Sequence, residues 1–77
     1  MTTTTWLKAQ PTESIADSIE QFDHALNAGE LSRLLGVHKL TIYRLAQQGR
    51  IPAFRIASAI RFDPHRVAAW LRDREAR

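Results

Sequence analysis

The stretch Asn27–Gly49, NAGELSRLLGVHKLTIYRLAQQG, decides the fold of this chain of 77 residues. Asn27 suits an N-cap, and Glu30 three residues on completes a capping box. Leu31, Leu34 and Leu35 then form one apolar face, and Gly36 stands where a helix closes at its C′ position. The spacing predicts a helix over 28–35. Val37 is expected to be buried in the turn. His38 can cap a second helix running from 39 to about 48, in which Ile42, Leu45 and Ala46 share a face. Gly49 ends it, and Pro52 prevents an early restart.

Two helices of two to three turns, joined by a short turn containing Gly, are the signature of a helix-turn-helix. After Pro52 the apolar period changes from 3.6 to 2: Phe54 and Ile56, then Ile60 and Phe62, with Arg55 and Arg61 between them. That pattern predicts a hairpin. Keeping the apolar groups on one face favours a three-residue loop, Ala57 to Ala59. Phe54 would then face Phe62, Ile56 would face Ile60, and Arg55 would lie opposite Arg61. The two arginines would either splay into water or hold a phosphate between them. Asp63-Pro64 opens a last helix, with Asp as N-cap and Pro at the first helical position. Val67, Trp70 and Leu71 point inward, and Arg72 to Arg77 is expected to fray.

Upstream, residues 1–12 read as a tail containing the run Thr2–Thr5 and the pair Trp6-Leu7. That pair is either unpacked or docked on the domain. Ile15, Ile19 and Phe22, with Ala16 beside them, form a helical stripe that predicts a short accessory helix within 13–24. The expected fold is mainly α with a small β-hairpin, a winged helix-turn-helix over 26–73.

Charge separates the two parts of the chain. Met1–Leu26 holds one base and four acids, net −3, whereas Asn27–Arg77 holds ten bases and four acids, net +6. No acid lies between Glu30 and Asp63, yet Arg33, Lys39, Arg44, Arg50, Arg55 and Arg61 do. An acid-free stretch with spaced arginines suits a polyanion. At 44% apolar and 25% charged residues the composition is that of a globular domain. The chain has no cysteine, which excludes disulfides, thiolate zinc and iron–sulfur sites. His24, His38 and His65 are 14 and 27 residues apart, not the spacing of a zinc site. No apolar run approaches a bilayer span and no secretory signal is visible, so a cytoplasmic location is expected. No catalytic residue, cofactor or metal is expected. The carboxylates Asp73 and Glu75 read as a solvated face.

Placed at 100° per residue, helix 39–48 turns Ile42, Leu45 and Ala46 inward, and Leu45 and Ala46 fall within about 60° of Ile42. The opposite face collects Leu40, Tyr43, Arg44, Gln47 and Gln48, with Thr41 near the N-terminal edge. Arg reads guanine edges, Gln can read adenine, and an apolar group can meet a thymine methyl. The first peptide groups of the helix can take a phosphate. His38 is read as a cap or as a neighbour of that phosphate.

The order of motifs adds a resemblance. Leu26 to His38, then Thr41-Ile42-Tyr43-Arg44-Leu45, Gly49 to Ile56, Arg61-Phe62 and Val67 to Leu71 together resemble the excisionase-type DNA-binding family of the MerR-like winged-helix group. The resemblance covers residues 26 to 71. It implies that the second helix enters the major groove while the wing touches neighbouring backbone or minor groove. By position it implies helix contacts from Lys39, Thr41, Tyr43 and Arg44, and wing contacts from Arg55 and Arg61; the projected outward face adds Leu40 and Gln47 as candidate DNA contacts. The chain departs from the pattern at the wing tip, where Ala57-Ser58-Ala59 replaces a Gly-containing turn, and at Leu40, where a small polar residue is common. Full MerR regulators carry a long dimerisation helix after this domain, which is not expected here because the chain ends at Arg77.

The resemblance thus implies an excisionase, or recombination directionality factor, that bends double-stranded DNA and directs a site-specific integrase. It would self-associate on repeated sites. The alternatives are a small transcriptional regulator of a mobile element, or an integrase-interacting module that uses Trp6, Leu7 and the 13–24 stripe.

Overall fold

A computed structural model describes residues 14–75. The expected tail, with Trp6 and Leu7, lies outside the described residues, as do Ala76 and Arg77. The chain forms α1 (Ile15–Glu20), α2 (Ala28–Leu35), α3 (Lys39–Gln47), β1 (Phe54–Ile56), β2 (Ala59–Arg61) and α4 (Pro64–Glu75). It is mainly helical, with a two-stranded antiparallel hairpin following three helices: a winged helix-turn-helix.

The local signals around α2 act as their chemistry requires. The Asn27 side chain accepts from the Glu30 N–H at 2.7 Å, and the Glu30 carboxylate accepts from the Asn27 N–H at 2.9 Å. The backbone bond holds the Glu30 carboxyl below the usual carboxylate range. Gly36 closes α2 at φ 72°, in the left-handed region that favours glycine. The Val37 N–H reaches back to the Ser32 carbonyl at 3.1 Å, as in a Schellman motif. That backbone bond secures the turn without help from the Val37 side chain, which is 42% exposed. The expectation that Val37 is buried is therefore incorrect. At the other end of the turn, His38 Nδ1 accepts from the Leu40 N–H at 3.1 Å and caps α3.

One core joins all of this. Ile19, Leu26, Leu31, Ile42, Phe62 and Val67 are fully buried. Side chains of this size contribute about 1.5–3 kcal/mol each when removed from water. Leu34, Leu35, Leu45, Ala46, Trp70 and Leu71 pack around them. Leu26 and Phe62 also pair as a short antiparallel bridge, exchanging two backbone hydrogen bonds of 2.9 Å. The chain just before the helix-turn-helix is thereby tied to the chain just after the wing. Trp70 makes a second tie: its Nε1–H donates to the Arg50 carbonyl at 2.8 Å, while the Arg74 guanidinium lies 4.6 Å from the ring centre.

The hairpin register differs from expectation. Phe54 pairs with Arg61, Arg55 with Ile60, and Ile56 with Ala59, around a two-residue loop of Ala57 and Ser58. Ala57 has φ 55°, and a positive φ at the first loop position is what a tight primed turn needs. The three-residue loop was expected in order to keep four apolar groups on one buried face. The wing has no such face. Phe62 leaves the hairpin to bridge Leu26, and Phe54 and Ile56 stay 41% and 61% exposed. Without a buried face, alternation no longer sets register. Arg55 and Arg61 therefore lie on opposite faces of the ribbon, not opposite each other, and no phosphate can sit between them in the way expected.

Two further expectations are corrected at the ends. In α1 the buried residues are Ala16 and Ile19, and Ile15 is exposed. Ala16 is fully buried, and α1 packs mainly on α4. α4 does not fray at Arg72 but continues to Glu75. Its Arg72 Nη2 donates to Asp17 Oδ1 and Glu20 Oε1, both at 2.6 Å. His65 Nδ1 lies 3.5 Å from Glu20 Oε2. The acidic α1 is thus held by bases on α4.

Candidate nucleic-acid interface

Helix α3 supplies the largest set of candidate residues. Its inner face is anchored by Ile42, fully buried, with Leu45 and Ala46 beside it. Because a helix repeats every 3.6 residues, burying these three forces the opposite side outward. Lys39, Leu40, Tyr43, Arg44, Gln47 and Gln48 are all exposed, and Thr41 is half-buried. Leu40 is 60% exposed, and Tyr43 one turn on is 38% exposed. Lys39 and Gly29 are neighbours across the turn: a Cβ at Gly29 would lie 3.8 Å from Lys39 Cδ. The lysine stem therefore runs beside the N-terminal turn of α2.

The N-terminus of α3 is only partly open. His38 already occupies the Leu40 N–H, and the Thr41 N–H bonds the His38 carbonyl at 2.9 Å. Of the two roles expected for His38, capping is realised in the structure.

The wing sets its two arginines apart. Arg55 is exposed, and it lines a small cleft of about 100 Å³ with Ala46, Ala53, Phe54 and Ile60. This brings one wing arginine close to the C-terminal half of α3. Arg61 is half-buried on the other face of the ribbon, with Nη1 donating to the Ile60 carbonyl at 2.9 Å. The structure thus brings Arg55 beside Ala46 of α3, while Arg61 lies on the other face of the ribbon.

Four acids, Asp17, Glu20, Glu30 and Asp63, are engaged away from α3 and the hairpin. Asp17 and Glu20 accept from Arg72, which holds both carboxyls below their ordinary range; His65 adds to the effect at Glu20. Glu30 caps α2, and Asp63 Oδ1 accepts the His65 N–H at 2.9 Å to cap α4. None of the acids of the chain falls on α3 or the hairpin. Sequence reasoning missed the outward position of Phe54 and Ile56, because it assigned both to a core-facing strand. It also left Arg50 out of the site, an exposed residue whose backbone is pinned by Trp70 and by its own N–H bond to the Leu45 carbonyl at 2.9 Å. Its place just past the end of α3 was the available signal.

Among the described residues no group of three His, Asp or Glu side chains is placed to hold a metal ion, and no helix is long and apolar enough to cross a membrane.

An exposed, acid-free second helix beside an arginine-bearing wing is the geometry of a DNA-binding winged helix-turn-helix. Residues 25–75 match the family model of a helix-turn-helix domain, and the chain belongs to that family. The family is one of DNA-binding domains, typically non-enzymatic, and sequence-specific binding of double-stranded DNA follows from membership. Neither curated proteins nor solved structures yield a match to the chain.

Proposed function

We propose that this protein is an excisionase-type factor of MerR-like arrangement, which binds and bends its target and directs a site-specific integrase. The observation that carries the DNA interface is the outward face of α3, where Leu40, Tyr43, Arg44 and Gln47 stand together without an acid, with Lys39 and Thr41 at its N-terminal end. A face of this kind fits the major groove: Arg44 and Gln47 offer donors to base edges, and Leu40 offers an apolar group for a thymine methyl. Lys39 at the N-terminal end, with Arg55 and Arg61 on the wing, supplies cations for phosphates. Phosphate contacts of this kind set register and carry most of the salt dependence.

The excisionase reading rests on the resemblance from "LLGV" through "T-x-YR" and "G-x-IP-x-F" to "W-L". In that role several copies bind side by side on repeated sites and meet an integrase there. The accessory helix α1, packed on α4 away from α3, is available to such a partner. The test is a footprint on the DNA beside its own gene, with and without a recombinase, together with circular-permutation gel shifts. Protection of repeated sites, bending by tens of degrees and a change in recombination direction are expected. Straight DNA at saturation with no effect on recombination would favour a small transcriptional regulator of a mobile element.

A further inference from the structure

The wing carries a feature that phosphate binding does not use. Residues directly opposite each other on an antiparallel pair project from the same face. The observed register therefore puts Phe54, Ile56, Ala59 and Arg61 on one face, and Arg55 with Ile60 on the other. Ile60 packs against the core, whereas the first face carries the exposed Phe54 and Ile56 beside the half-buried Ala59 and Arg61. On it Ile56 is 61% exposed, the highest value among the exposed large apolar side chains of the described residues. Its cross-strand partner is Ala59, too small to cover it. The loop beyond it, Ala57-Ser58, is small as well, so Ile56 is the largest side chain at the tip of the ribbon. Between Arg55 and Arg61 no residue is charged.

We propose that Ile56 is an apolar wedge, which the wing inserts at a base step in the minor groove next to the major-groove site of α3. This deepens the DNA-binding reading and rests on it. The ribbon has the parts such an insertion needs. One guanidinium stands on each face, so Arg55 and Arg61 can each reach one phosphate wall of the groove. The tip between them has a single hydroxyl, that of Ser58, with which to meet base edges by hydrogen bonding. An apolar side chain there gains by leaving water for the gap of a partly unstacked step, and isoleucine is among the side chains used in this way. Unstacking kinks the duplex, which gives bending a physical origin in a single side chain. A register that placed both arginines on one face would leave one groove wall unmatched.

The test uses the full chain and a duplex selected from a random pool, with 2-aminopurine placed in turn at steps flanking the protected major-groove site. For the wild type, one step should brighten as it unstacks, and circular permutation should show a bend centred there. Ile56→Ala removes an exposed group and should leave the fold intact by circular dichroism. It should abolish the brightening, reduce the bend, and bind the intact duplex about tenfold more weakly. Opening that step with a mismatch should restore most of the loss. If Ile56→Ala leaves bend and fluorescence as in the wild type, the wedge is overturned while the DNA-binding reading stands. If the variant alters only the cooperativity between copies, the tip is a protein contact and the wedge is likewise overturned. Failure of the wild type to select any duplex would overturn the DNA-binding reading itself, and the wedge with it.

Discussion

At the scale of single residues, backbone conformation unites two positions that look unlike in the sequence. Ala57 and Gly36 both have positive φ, 55° and 72°. A left-handed conformation costs an L-residue about 1–2 kcal/mol, while glycine adds about 0.5–1 kcal/mol of unfolded-state entropy. Ala57→Gly should therefore stabilise the domain by up to about 1 kcal/mol. Gly36→Ala should destabilise it by a similar amount or more, through the backbone alone, since an added Cβ meets nothing within 4 Å. Urea midpoints moving in opposite directions at constant m would confirm both; a fall for Ala57→Gly would mean that its methyl group packs. On the proposed interface, Arg44 is the base contact to test at this scale. Arg44→Ala should lose about 1–3 kcal/mol of discrimination between target and random duplex while binding random DNA nearly as before. Equal weakening on both would reduce Arg44 to a phosphate contact.

At the scale of elements, α1 is the piece most exposed to pH. Arg72 on α4 binds both Asp17 and Glu20, and it lowers the pKa of each in the folded state. A depressed carboxyl contributes stability that is present above its unfolded pKa and lost as pH falls through the folded value. The docking of α1 should therefore hold at neutral pH and weaken below the usual carboxylate range, about 4. Hydrogen exchange should show the α1 amides losing protection between pH 5 and pH 3, measured against the amides of α2 as an internal reference. Arg72→Ala should reduce that pH dependence, leaving the smaller effects of His65 on Glu20 and Ser14 on Asp17, and an unchanged profile in the variant would refute the clamp. The wing gives a second element-scale expectation. Arg55→Ala and Arg61→Ala should each weaken binding to all sequences alike, and each should lower the salt slope of log K by about one unit. Because the two residues lie on opposite faces, neither change relieves a repulsion, so neither should stabilise the free domain. An unaltered salt slope would make the hairpin purely structural.

At the scale of the whole molecule, the described residues bury one core within a single chain. Most of the exposed large apolar side chains, Leu40, Tyr43, Phe54 and Ile56, belong to α3 and the wing. These are the surfaces proposed for DNA, so assembly is expected on the target rather than before it. The protein should sediment as a monomer alone and assemble side by side on repeated sites. A concentration-independent dimer without DNA would point to α1, whose Ile15 is also exposed, as the interface.

What the sequence determined by itself was the helix starts and stops carried by short-range chemistry. The Asn27–Glu30 capping box, the Gly36 and Gly49 stops and the Asp63-Pro64 start need only neighbours a few residues away, so helices α2 and α3 and the origin of α4 were legible. The outward face of α3 was legible too, because burying Ile42 with a period of 3.6 residues leaves no choice for Arg44 or Gln47. Tertiary structure alone decided the rest. The hairpin register depended on whether a core face existed for Phe54 and Ile56 to occupy, and the bridge of Phe62 to Leu26, 36 residues earlier in the chain, removed it. The ordered end of α4 depended on Asp17 and Glu20, 55 and 52 positions before Arg72. Alternation and composition carry no record of such distant partners. Only the packed chain brings them together, and with them it sets which side of the wing each arginine occupies.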